Sequence, residues 1–132
     1  MEVDYMGFLN GLMGNASAAD VKDIEKELSK IIGESEKIEL AFKLIRDLIV
    51  FTDMRLILID KQGLTGKKVE YLSVPYKSIS RFSIETAGHF DLDAELKIWI
   101  SGAELPAISK QFKKDSSIYD VQKAIASYVA KA

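Results

Sequence analysis

Between residues 37 and 112 the apolar residues recur with the period of strands, and no helical stretch interrupts them. Parallel strands need crossovers of a dozen or more residues, usually helical, so this span is restricted to antiparallel pairing. Seven segments read as strands: 37–45, 47–52, 55–60, 68–75, 79–85, 94–101 and 107–112. Asp53 in the second turn and Gly63 and Gly66 in the third supply turn chemistry, and Pro75 ends the fourth strand. Residues 86–93, with Gly88, form the longest central loop, and 102–106 the last turn. A meander of seven short strands avoids bare edges by curling into a barrel or sandwich.

Helical spacing flanks the strands. Ser17 reads as an N-cap, Asp20 favours the helix dipole, and Val21, Ile24, Leu28 and Ile31 make one apolar stripe. The spacing predicts a helix over 18–32, with Lys22, Asp23, Lys26 and Lys30 outward and Gly33 as its stop. Ser116 or Ser117 caps a second helix over 117–131, whose stripe is Ile118, Val121, Ile125, Tyr128 and Val129. Residues 1–16 form an amphipathic segment ahead of a single domain over 17–132.

Composition excludes several function classes. The chain has 132 residues, enough for one domain with a real core. No Cys is present, which removes disulfides, thiolate metal sites and thiol catalysis. Eighteen Lys and Arg against twenty Asp and Glu give a net charge of −2, against a dedicated nucleic-acid binder. Residues 41–90 are weakly net positive, with eight bases against five acids. Two acids and no base in residues 1–5 argue against a secretory signal, so the expected location is cytoplasmic.

The strand residues carry a resemblance. Phe51-Thr52-Asp53-Met54-Arg55-Leu56-Ile57-Leu58 resembles the T-x-x-R-L-I-L hairpin of bacterial pleckstrin-homology (PH) domains. Asp60-Lys61-Gln62-Gly63, Tyr76-Lys77-Ser78-Ile79, Phe82-Ser83-Ile84-Glu85 and residues 93–100 are similar to later strands of that family. The resemblance covers about residues 17–130. It implies a mainly β, PH-like seven-stranded antiparallel barrel or sandwich, with an N-terminal helix and a C-terminal capping helix. It also implies a small cytoplasmic homo-oligomer assembled as a ring, with no settled ligand. Eukaryotic relatives that bind phosphoinositides use a basic loop between strands one and two. Here that turn is Ile45-Arg46-Asp47, without the Lys and Arg cluster.

Catalytic signals are sparse. His89 is the only His, in a loop beside Asp91 and Asp93, and a ligand cluster needs more members. No catalytic residue, metal site or cofactor is expected. Gly63-Leu64-Thr65-Gly66-Lys67-Lys68 has two residues between its glycines where a P-loop has four, and reads as a hairpin turn with solvated lysines. Odd-numbered turns of a meander share one barrel end, which places Arg46, Lys61, Lys67, Lys68 and His89 on one rim. The first four are the candidate headgroup site.

Alternation points to assembly. In strand six Leu96, Ile98 and Ile100 face one way, and Glu95, Lys97 and Trp99 the other. Strands two and three are apolar on both faces, so their outer side needs a cover: the chain's own N-terminal helix or a neighbouring subunit. Leu48, Val50, Leu56, Leu58 and Trp99 are the candidate oligomer interface. The expected function is a non-enzymatic PH-like binding or scaffold module that self-assembles. The alternative is a peripheral membrane adaptor using the basic rim. A protein partner fits either reading; no nucleic acid and weak or no membrane-lipid binding are expected, and lipid binding separates the two readings.

Overall fold

Burial along β2 (Leu48–Thr52) is complete on both faces, and the rest of the architecture follows from covering it. In the computed structural model, residues 24–44, 47–62, 68–86, 93–113 and 117–132 are described. β1 (Ile38–Lys43), β2, β3 (Arg55–Gln62) and β4 (Lys68–Pro75) form one antiparallel sheet in sequence order. β5 (Ile79–Glu85), β6 (Asp93–Ile100) and β7 (Ile108–Lys113) form a second. A 3-10 turn, Tyr76–Ser78, carries the chain between them.

One core lies between the sheets. Phe42, Ile49, Phe51, Leu56 and Leu58 of the first sheet meet Leu96, Ile98, Ile108 and Phe112 of the second. A C-terminal helix, Ser117–Lys131, adds Ile118, Val121, Ala124 and Ile125, and packs over β5, β6 and the 3-10 turn. Its Tyr128 ring stacks on Phe51 and Tyr76, with centroids 5.4 and 4.9 Å apart. Its hydroxyl donates to Glu39.

The opposite face of the first sheet carries a second core. Ala41, Leu48, Val50, Ile57 and Ile59 sit beneath Ile24 and Leu28 of an N-terminal helix, described over 24–28. The cover is therefore the chain's own helix. Two polar contacts fasten it further: Tyr71 Oη donates to Glu27 at 2.9 Å, and Lys61 pairs with Glu27 at 3.7 Å.

Strand limits agree with expectation to within two residues. β3 runs on to Gln62 because its register with β4 continues to Gln62 opposite Lys68. The helix expected over 18–32 ends sooner: after residue 28 the chain tightens into a turn, in which Ile31 N donates to Leu28 O. Gly33 follows without the positive φ of a glycine cap; among the described residues that conformation belongs to Gly102, φ 85°, in the β6–β7 turn. The N-terminal amphipathic segment over 1–16 lies outside the described residues, as do 17–23 of the expected helix.

Candidate interaction surface

The rim turns at the β1–β2 end carry acids beside their bases. Arg46, Lys67 and His89 lie outside the described residues. Lys68 is exposed at the start of β4, and Lys61 is drawn to Glu27. Lys110 has the inward parity of its neighbours Ile108 and Phe112, yet reaches across to the first sheet. There its Nζ lies 3.0 Å from Asp47 and 3.7 Å from Asp60. Two carboxylates around one ammonium make a poor seat for an anionic headgroup.

The four aliphatic interface candidates are interior. Leu48 and Val50 lie under the N-terminal helix, and Leu56 and Leu58 between the sheets, all at most 6% exposed. A second copy has no access to them. Their two-faced apolar pattern reflects two cores in one subunit, which corrects their placement on the assembly surface.

Trp99 is different. It stands on the outer face of the second sheet, opposite Arg81 in the β5–β6 register. The Arg81 guanidinium lies 4.7 Å from its ring centroid, and Trp99 Nε1 donates to Glu104 O at 3.2 Å. The indole is half-buried by these contacts within its own subunit. Leu105, next to Glu104 in the β6–β7 turn, is 79% exposed. The cation-capped ring and the bare leucine both belong to this outer face.

The sequence reading missed a buried ionic knot. Among the described residues Glu36 and Thr52 are the buried polar ones, and Arg55 joins them. Arg55 Nε and Nη2 donate to the two Glu36 oxygens at 2.8 and 2.9 Å, and Thr52 Oγ1 donates to Oε2 at 2.7 Å. Thr52 Oγ1 in turn accepts from Met54 N and Arg55 N, shaping the β2–β3 turn. The Arg55 hydrogen bond outweighs desolvation and holds the Glu36 carboxyl well down, at about 2. Every member is satisfied, so the knot fastens structure and leaves no free group for chemistry. Thr52 and Arg55 are in the recognisable hairpin, but nothing local marks Glu36 as their partner.

Among the described residues no three His, Cys, Asp or Glu side chains gather as a metal site, and no helix is long and apolar enough to cross a membrane. The family model for the bacterial PH domain matches residues 7–129. The chain belongs to the bacterial PH domain family. It is 70% identical over 122 residues to the uncharacterised protein YjqA of Bacillus subtilis (strain 168), covering 92% of this chain and 98% of that one. A crystal structure of a PH domain from Shewanella amazonensis SB2B superposes with a TM-score of 0.75 at 56% identity, covering 93% and 98% of the two chains. A DUF1696 family protein with a PH domain from Shewanella loihica PV-4 gives 0.68 at 54% identity, covering 82% and 92%. The two-sheet architecture with its capping helix is thus the PH-like fold of this family.

Proposed function

We propose that this bacterial PH domain is a non-catalytic binding module that self-assembles, with Trp99 at a contact between copies. The PH fold is a type of binding module, and the chain is matched along nearly its whole length by such domains. The observation that carries the reading is the outer face of the second sheet, where Trp99, Arg81 and exposed Leu105 adjoin. A ring would use this patch head-to-tail against a different surface of the next copy. The module works in the cytoplasm without lipid or nucleic acid as its main ligand.

Molar mass by light scattering tests it. The wild type is expected to be an oligomer at tens of micromolar, and Trp99→Ala to dissociate. Truncating an interface hot spot costs about 2 kcal/mol or more, about thirtyfold in affinity. A monomeric wild type removes the assembly reading. An oligomer unchanged by Trp99→Ala moves the contact away from this patch.

A further inference from the structure

We propose that β5 pairs antiparallel with β5 of a second copy, across a two-fold axis at Ser83, extending the three-stranded sheet to six strands. The proposal rests on the self-assembly reading and adds to the Trp99 patch a second, isologous contact.

Among the described residues the strand order β5-β6-β7 leaves β5 hydrogen-bonded on one side only. An edge strand is a template for another chain unless something blunts it; β5 has an irregularity between Ile79 and Arg81, beyond which the five residues Arg81–Glu85 run in regular register. Self-pairing about Ser83 sets each residue opposite the one equally far beyond Ser83. Arg81 then faces the second copy's Glu85, and Glu85 its Arg81. Both side chains are exposed, on the same face as Ser83, and neither has an ion-pair partner among the described residues. Directly opposite side chains in such a ladder have Cβ atoms about 5 Å apart, within reach of an Arg–carboxylate pair.

The other face agrees. Phe82 falls opposite Ile84 of the second copy, and Ile84 opposite its Phe82. Both are partly buried and already pack against the main core, so pairing prolongs that core across the axis. The Arg81 guanidinium lies over the Trp99 ring without an ion pair among the described residues, which leaves its N–H groups for a carboxylate. Trp99, Arg81 and the second copy's Glu85 then form one row across three strands.

The other sheet edges match themselves less well. β1 has an irregularity between Ile38 and Leu40, as β5 has between Ile79 and Arg81, but only the four residues Leu40–Lys43 follow it, against the five of Arg81–Glu85 in β5. On β4, setting Lys68 against Glu70 requires centring on Val69, which uses only its first three residues. β7 centred on Lys110 opposes two ammonium groups.

Charge reversal tests the register. Sedimentation velocity over a concentration series compares wild type, Arg81→Glu, Glu85→Arg and the double variant, each checked for wild-type circular dichroism. Each single reversal sets like charges opposite each other at both pairs and is expected to weaken dimerisation about tenfold or more. The double variant, with the charges exchanged, is expected to associate more tightly than Arg81→Glu, which likewise loses the cation over Trp99. A mixture of the two single variants is expected to recover, because one chain then carries acids at both positions and the other carries bases at both. Single variants that associate like wild type, or a mixture that fails to recover, overturn the edge pairing while leaving assembly through Trp99 intact. A monomeric wild type overturns both.

Discussion

Arg55 grips Glu36 through two parallel hydrogen bonds, although nineteen residues separate them. The same guanidinium donates to Ile31 O at 2.8 Å and to Ser73 Oγ at 2.7 Å. One side chain thus ties the end of the N-terminal helix, the linker into β1, and strands β3 and β4. The fork geometry matters because a lysine offers no second parallel donor. Arg55→Ala is expected to lower the urea unfolding free energy by about 3–5 kcal/mol, since it leaves a buried carboxylate unpaired. Arg55→Lys should recover only part. A loss under about 0.5 kcal/mol for Arg55→Ala would remove the knot from the list of stabilisers.

Acid should loosen the fold in a defined window. Glu36 binds its proton less readily folded than unfolded, with a pKa lowered from 4.5 to about 2. A depressed carboxylate contributes its stability in full above the unfolded value and loses it as pH falls through the folded one. The loss should run from about pH 4.5 down to about pH 2, and reach about 3 kcal/mol at most. Urea midpoints measured against pH should fall in that window for wild type. For Glu36→Gln, which is less stable throughout, that component of the fall should be missing.

Alkali acts on the aromatic stack. Burial, aided by nearby Tyr128 and Glu39 charge, raises the Tyr76 hydroxyl far above its ordinary value. Burial and the Glu39 carboxylate do the same for Tyr128. For both the stability is complete below pH about 10 and lost as pH rises above it, where the unfolded phenols ionise first. Ultraviolet titration should show Tyr76 and Tyr128 staying silent until the fold breaks. Ordinary titration of all five tyrosines in the native protein would contradict the stack.

Tyr128→Phe separates packing from polarity. It retains the rings over Phe51 and Tyr76 and loses the donor to Glu39. The expected cost is about 1 kcal/mol, against about 3–5 kcal/mol for Tyr128→Ala. Equal losses for the two variants would mean that the hydroxyl, not the ring, holds the helix.

Weak lipid affinity is expected at the basic rim. Lys61 is engaged by Glu27, and Lys110 by Asp47 and Asp60. A base near an anionic surface contributes about 1 kcal/mol, so Lys68 with one or two neighbouring bases anchors poorly. Cosedimentation with phosphoinositide vesicles at physiological salt should recover little protein. Strong binding abolished by Lys68→Glu would restore the membrane-adaptor reading.

The period-two alternation of strand six, the two-faced apolar runs of strands two and three, and the Pro and Gly punctuation are local properties of the chain. They placed seven strands and the C-terminal helix close to where they stand, because backbone periodicity and turn chemistry act over a few residues. Together with the Thr52–Arg55 hairpin they also indicated the family. What covers the outer face of Leu48, Val50, Ile57 and Ile59 was undecided at that level, since an intramolecular helix and a second subunit bury the same surface. Tertiary packing of Ile24 and Leu28 settled it. The Glu36–Arg55 fork, the Lys110 bridge to Asp47 and Asp60, and the Arg81–Trp99 stack were likewise beyond reach. Each joins residues far apart along the chain, and strand register and sheet packing, which no single segment encodes, bring them together.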